Sequence, residues 1–334
     1  MKKKIGYLGS GAWGICLANL LAKNGHDVQI WSATRDILDY IEEKKEHPKF
    51  PGIPLASSLR GTTNLEELIQ DKDLLVESVT TKGFRSVLQK MTAFTTKLPP
   101  LVITSKGIEI GTGLLLPEIA LEILGEQQQY LIGCLTGPSL AQEVMQEMPA
   151  SVVAAAFDLD LMQLIQRVFT TPYFRVYPNV DVFGAAFGGA MKNIIAIACG
   201  ISDGLGFGQN AKAALLTRGL HEMRKLAPVK NCLVETLNGL SGLGDLATTC
   251  LSTLSRNYTF GKLLAEGKNS ESAKNNIGMV VEGVSTCVSV RELGHKYQIP
   301  LPITESIYSI IYENKNLSEV VKVLLTREIK EEYL

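Results

Sequence analysis

An apolar run, Ile5-Gly6-Tyr7-Leu8, delivers the chain directly into Gly9-Ser10-Gly11-Ala12-Trp13-Gly14, and a helix-prone stretch from Trp13 to Leu21 follows at once. This order commits the N-terminal region to a strand, a tight turn and a helix. Each glycine then has a separate reason to be there. Gly9 permits the turn, Gly11 lets the backbone approach a ligand without a Cβ in the way, and Gly14 lets helix and strand pack closely. A helix that opens on such a turn points its unpaired backbone N–H groups at one spot, a ready site for a pyrophosphate. The next β-like run, Asp27-Val28-Gln29-Ile30-Trp31, completes the context in which the glycine spacing reads as a dinucleotide clamp.

Further β-like runs recur with helical stretches between them, as a doubly wound sheet requires. They are Ile5–Gly9, Val28–Trp31, Leu74–Val79, Leu101–Ser105, Tyr130–Leu135 and Ser151–Ala156, with Ile37–Lys45, Phe84–Met91 and Leu114–Leu124 as crossover helices. Ligands of open α/β sheets sit at the carboxyl ends of the strands. Three loops there carry reactive side chains: Ser78-Val79-Thr80, Thr104-Ser105-Lys106-Gly107 and Thr136-Gly137-Pro138-Ser139. Beyond about Val180 the texture changes to long helix-prone stretches. The expected architecture is α/β then all-α: a Rossmann-type dinucleotide domain over residues 1–180 and a helical substrate domain over residues 181–334. The charged Glu328–Glu332 tail is expected to end the fold.

With 334 residues, 33 lysines and arginines and 34 acids, the chain has the size of two domains and no basic footprint for a nucleic acid. Lys2-Lys3-Lys4 before an apolar run imitates a signal peptide, but the glycines at 6, 9, 11 and 14 interrupt the apolar segment. Six scattered cysteines without a CxxC, and four histidines without ligand spacing, suit buried free thiols in the cytoplasm and no metal site. No stable membrane insertion is expected.

Inside the apolar helix Phe183–Cys199 stand Lys192 and Asn193. Burying an ammonium is costly unless a charge or a ligand compensates, so Lys192 either snorkels to the surface, forms a structural salt bridge or acts as a catalytic amine. The loop Gly204–Asn210 is too glycine-rich for helix. Past it, Gly242-Leu243-Gly244-Asp245 precedes Ser255-Arg256-Asn257, whose hydroxyl, guanidinium and amide form a donor set suited to a phosphate monoester.

Together these segments resemble the bacterial-type NAD(P)-dependent glycerol-3-phosphate dehydrogenases over essentially the whole chain. The resemblance is carried by GSGAWG with Trp13, Thr104–Glu109, Thr136–Ser139, Lys192-Asn193, Gly208-x-Asn210-x-Lys212-Ala213-Ala214-Leu215 with Arg218-Gly219, Gly244-Asp245-Leu246, Ser255-Arg256-Asn257 and Val281-Glu282-Gly283. It implies reversible reduction of dihydroxyacetone phosphate to sn-glycerol 3-phosphate, the precursor of glycerophospholipids. It also implies a second domain like that of 6-phosphogluconate dehydrogenase, and a homodimer. By resemblance Lys192 is the general acid/base, Lys106 meets both substrate and nicotinamide, and Asn193 and Asp245 orient the lysine and the substrate hydroxyls. Thr249, one turn beyond Asp245, is a further candidate. Gly137, Ser139, Ser255, Arg256 and Asn257 match positions that line the glycerol phosphate site. Gly9, Ser10, Gly11, Trp13, Gly14, Ala141, Val280 and Glu282 match the dinucleotide site, which Lys106 and Arg256 also reach.

Cofactor choice departs from a strict NAD pattern. No acid stands at the end of the second strand before Asp36, whereas Arg35 offers a cation for a 2′-phosphate, displaced by about a residue from the family's arginine. NADP is therefore expected to serve at least as well as NAD. Two rivals share part of the pattern: another dehydrogenase of the 6-phosphogluconate dehydrogenase-like superfamily, and a non-catalytic NADP-binding sensor.

Overall fold

A computed structural model describes residues 2–328 and 331–332. The chain divides into two compact units, one of residues 1–105 with 116–182 and one of residues 106–115 with 183–334. The segment 106–115 therefore packs in the helical unit although it lies within the sequence of the sheet unit. Of the charged tail, Ile329 and Lys330 lie outside the described residues.

The first unit is an eight-stranded sheet in the order β3-β2-β1-β4-β5-β6-β7-β8, with β1 Lys4–Leu8, β2 Asp27–Trp31, β3 Arg60–Thr62, β4 Leu74–Glu77, β5 Leu101–Ile103, β6 Ile132–Thr136, β7 Ala150–Ala156 and β8 Phe174–Asn179. From β3 to β6 neighbours run parallel, with Leu8 opposite Trp31 on one side and Glu77 on the other. The loops after β1, β4, β5 and β6 consequently leave the sheet along one edge. The exception to parallel pairing among the described strands is β6 with β7, which run antiparallel and are joined by a connection holding α6 (Ala141–Met145). Two strands escape the periodicity argument. The short edge strand β3 carries Arg60 and Gly61, and β8 contains Pro178 where a ladder donor would sit.

Helices α1 (Ala12–Lys23), α2 (Asp36–Lys44), α3 (Leu65–Ile69), α4 (Thr81–Phe94), α5 (Leu116–Leu124) and α7 (Leu159–Phe169) complete this unit. Its core is continuous from Ile5, Tyr7, Val28 and Val76 in the strands to Ile15, Leu17 and Leu21 on α1. Nine of the twelve residues of α1 are buried, so that helix is sheathed on nearly every side.

The second unit is built around α8 (Val182–Gly204), a helix long and apolar enough to cross a membrane by length and composition, but with 89% of its apolar window buried inside the protein. Around it lie α9 (Gln209–Leu226), α10 (Val234–Asn238), α11 (Asp245–Leu251), α12 (Arg256–Ala265), α13 (Ser270–Ile277), α14 (Glu282–Lys296), α15 (Pro302–Tyr312) and α16 (Leu317–Leu325). The glycines at 204 and 208 do not make a long loop. α8 runs through Gly204 and α9 begins at Gln209, so a glycine at the last helical position and another at the N-cap bracket only Leu205, Gly206 and Phe207. Ile108 and Leu115 of the 106–115 segment belong to this unit's core, held by an isolated bridge between them and by Ser289 donating to the Ile108 carbonyl.

Candidate active site

In the sheet unit the clamp follows the geometry that its sequence demands. Gly9 has φ +107°, a backbone region that L side chains rarely adopt, and a Cβ on Gly14 would fall 2.1 Å from the Gly9 carbonyl oxygen. α1 begins immediately after Gly11, which caps it without any side-chain hydrogen bond, and a Cβ there would meet only open space. The first turn of α1 therefore has room in front of it for an anion. Ser10 donates to Ser32 at 2.8 Å, tying the turn to the end of β2. The indole N–H of Trp13 is buried with no partner among the described residues, as is the hydroxyl of Thr136 at the end of β6. An orphaned polar atom within the clamp itself fits a site meant to be completed by a ligand.

At the same edge a chain of hydroxyls links three strands: Tyr7 to Ser78 at 2.7 Å and Ser78 to Thr104 at 2.5 Å. Glu77, 2% exposed at the end of β4, accepts from the Val79 amide and from the Ser105 hydroxyl. It thus shapes two of the three loops singled out in the sequence. Glu77 escaped notice there because an acid at the end of an apolar strand reads as a surface residue. Gly137, Ser139 and Ala141 follow β6, and the Ser139 hydroxyl donates to the Gly137 carbonyl at 2.9 Å. Arg35 is exposed and lies along α2, paired with Asp39 at 2.7 Å and Glu42 at 2.9 Å.

In the helical unit the residues that sequence reading grouped do converge. Lys192 projects from the middle of α8 and is 6% exposed, while Asp245, the first residue of α11, is 1% exposed. One carboxylate oxygen of Asp245 accepts from Lys192 and the other from Lys106 at 2.7 Å, so two ammonium groups share one buried carboxylate. Thr249 accepts from Lys192 at 2.8 Å and donates to the Asp245 carbonyl at 2.7 Å, which fixes its hydroxyl as an acceptor for the lysine. A protonated lysine has three N–H bonds. Two of those of Lys192 are used by Asp245 and Thr249, and the third has no partner among the described residues. Burial lowers the Lys192 pKa to about 8; Asp245 pulls upward and Lys106 pushes further down.

Beside it, Asn193 accepts from the Asn257 amide at 2.9 Å, and Asn257 in turn accepts from the Gly283 amide at 2.9 Å. Gly283 lies in the first turn of α14, so one asparagine ties α8, α12 and α14 together. Ser255 caps α12 by accepting from the Tyr258 amide at 3.3 Å, which leaves its O–H proton for another acceptor. Arg256 donates to the Val280 carbonyl at 3.0 Å, just ahead of Glu282. The Ser255-Arg256-Asn257 triplet is therefore the first turn of a ten-residue helix, where a side-chain cation and the helix's positive end coincide.

Sequence reading missed the carboxylate of Asp203, which binds both Lys212 and Tyr258. An acid in the last turn of a helix that lacks any basic residue there was the available signal.

Comparison with known proteins agrees along the full chain. The family model of the NAD-dependent glycerol-3-phosphate dehydrogenase N-terminus matches residues 4–162, and that of the C-terminus matches residues 181–322. A relative from Protochlamydia amoebophila, a glycerol-3-phosphate dehydrogenase [NAD(P)+], is 52% identical over 332 residues, spanning 99% of this chain and 100% of that one. A Chlamydia trachomatis enzyme of the same name is 52% identical over 334 residues, 100% of both chains. Among solved structures, glycerol-3-phosphate dehydrogenase from Coxiella burnetii superposes with a TM-score of 0.93 at 34% identity, covering 98% of this chain and 99% of that one. The enzyme from Saccharomyces cerevisiae gives 0.81 at 27% identity, covering 97% and 99%. With its Rossmann-type sheet unit and its helical unit, the chain belongs to the NAD-dependent glycerol-3-phosphate dehydrogenase family.

Proposed function

We propose that this protein uses NADH or NADPH to reduce dihydroxyacetone phosphate reversibly to sn-glycerol 3-phosphate, supplying glycerophospholipid synthesis. The nicotinamide supplies the hydride when bound. Lys192 directs its spare N–H at the substrate's carbonyl oxygen, stabilises the negative charge that develops there and delivers the proton. In the reverse direction the neutral amine takes the alcohol proton, a change feasible near neutral pH because burial has brought its pKa to about 8. Lys106 adds a second positive charge to the same oxyanion. Asp245 holds both lysines in place, and Asn193 offers its amide N–H to a substrate hydroxyl. Ser255, Arg256 and Asn257, with Gly137 and Ser139, hold the phosphate. Gly9 to Gly14, Ala141, Val280 and Glu282 serve the dinucleotide, and Arg35 serves the 2′-phosphate of NADP.

The observation that carries this reading is the buried Lys192 with two of its three N–H bonds taken by Asp245 and Thr249 and no partner for the third among the described residues. A spare donor on a buried ammonium is a place for a ligand's oxygen to bind. We also infer a homodimer, supported by the exposed apolar side chains of the helical unit such as Phe207, Val323 and Leu325. Six free, buried cysteines support work in the cytoplasm.

The test is NADH and NADPH oxidation with a panel of phosphorylated and unphosphorylated ketones, in the wild type and in Lys192→Ala. Turnover should require dihydroxyacetone phosphate and should fall by about 10³-fold or more in the variant while NADH still binds. Absence of turnover with that ketone under either cofactor would refute the activity. Undiminished turnover by Lys192→Ala would refute the role of the lysine.

A further inference from the structure

About three turns beyond Lys192, in the last turn of α8, stands Asp203. A carboxylate at this negative end of a helix is unfavourably placed, and no basic residue in the same turn relieves it. Two partners from other helices do. Lys212 of α9 donates to Asp203 Oδ2 at 2.5 Å, and the Tyr258 hydroxyl of α12 donates to the same oxygen. The Lys212 ammonium also lies 5.8 Å from the centroid of the Tyr258 ring. Lys212 and Tyr258 are both buried. Burial pushes the Asp203 carboxyl upward, but its bonds to Lys212 and Tyr258 outweigh this and hold it below the ordinary range.

Tyr258 is the residue after Asn257, and its backbone N–H is the one that Ser255 caps. The backbone here already touches α8, since a Cβ on Gly200 would lie 1.9 Å from the Tyr258 carbonyl oxygen. That contact, with the one where a Cβ on Gly261 would lie 2.0 Å from the Ile197 carbonyl oxygen, sets the spacing of α8 and α12, and Asn257 ties the start of α12 to α8 and α14. The bond from Tyr258 to Asp203 adds a second side-chain tie one residue further along, so that two bonds rather than one set the angle at which Arg256 leaves the helix. We propose that Asp203, acting through Tyr258 and braced by Lys212, is a positioning residue that holds the first turn of α12 in the orientation that binds the substrate phosphate. This assignment rests on the placement of the phosphate at Ser255-Arg256-Asn257 given under Proposed function.

The test compares full-length wild type, Asp203→Asn, Asp203→Glu and Tyr258→Phe with dihydroxyacetone phosphate and with dihydroxyacetone, alongside thermal unfolding. Tyr258→Phe removes one hydroxyl and keeps the ring, so it carries the test even where Asp203→Asn does not fold. The KM for the phosphorylated ketone should rise about tenfold in Tyr258→Phe while kcat changes less than about twofold. The kcat/KM for dihydroxyacetone should stay unchanged, and Asp203→Glu should recover part of the loss seen in Asp203→Asn. A lower Tm with wild-type KM at assay temperature would overturn the proposal and leave Asp203 a strut. Equal losses on both ketones would overturn it too. A wild type that does not distinguish the two ketones would refute the phosphate assignment itself, whatever the variants do.

Discussion

Asp245→Asn separates electrostatics from mere orientation, because it should drive the two directions of the reaction apart. The substitution keeps the shape of the side chain and its carbonyl oxygen as an acceptor, but removes the one negative charge between Lys106 and Lys192. An opposite charge in direct contact raises a lysine's pKa by about 1–3 units, so losing it takes Lys192 from about 8 to about 6. At pH 7.5 the protonated fraction then falls from about three-quarters to about 3%, and the neutral fraction rises from about one quarter to nearly all. Ketone reduction, which needs the ammonium, should slow about 25-fold, whereas alcohol oxidation, which needs the amine, should gain up to about fourfold from this effect. The alkaline limb of the reduction profile should shift from about pH 8 to about pH 6, so that much of the rate returns near pH 5.5. Single-turnover measurements of NADH absorbance in each direction, from pH 5 to 9.5, exclude product release from the comparison. Losing the buried carboxylate that both lysines bind should also lower stability, read from urea unfolding. Equal slowing in both directions with an unmoved pH profile would refute this account and reduce Asp245 to a positioning group.

Three other outcomes can be checked. Gly14→Ala should raise the Kd for NADH by at least about tenfold in a fluorescence titration, since its Cβ would lie 2.1 Å from the Gly9 carbonyl oxygen and force the turn apart. Arg35→Ala should lower kcat/KM for NADPH by about tenfold and leave NADH nearly untouched, as one exposed cation facing a phosphate predicts; equal values for both cofactors in wild type and variant would remove that role. Glu222 is buried and accepts from the Ile303 and Thr304 amides and the Thr304 hydroxyl at the start of α15, and burial pushes it up to about 7 against those bonds. An acid whose pKa is raised on folding contributes stability that is present below its ordinary value near 4.5 and lost as pH rises through about 7. Glu222→Gln should therefore flatten the decline of urea stability across that window.

Much of this was legible in the chain because local rules act on neighbours. Gly9, Gly11 and Gly14 stand within six residues of one another, and the constraint on each comes from the same turn. Lys192 stood out because a charge within an apolar helix contradicts its surroundings. Its partner Asp245 lies 53 residues away, and no spacing connects them; only the ordered motifs of the family resemblance brought them together. The antiparallel β6–β7 pair was hidden, since a strand's apolar pattern is the same whichever way it runs. Glu77 and the partners of Asp203 were hidden for a related reason. A carboxylate reads as solvent-facing until the fold shows that its acceptor oxygens are occupied by buried donors. Cofactor preference fell between these cases, for the missing acid after Trp31 is plain in the sequence while the direction taken by Arg35 is not.

The ten-residue segment from Lys106 to Leu115 has a consequence for the order in which the protein assembles. Ile108 and Leu115 fill the helical unit's core, Lys230 donates to the Gly113 carbonyl, and Ser289 donates to the carbonyl of Ile108 across a sequence separation of 181 residues. On a ribosome adding about 5–20 residues per second, this segment waits roughly 10–35 seconds for Ser289 to be synthesised. The sheet flanking it on both sides can form long before then. Nascent chains should accordingly pass through a state in which β5 and α5 are folded while the loop joining them is open to protease, and protection of residues 106–115 should appear only as α14 clears the exit tunnel.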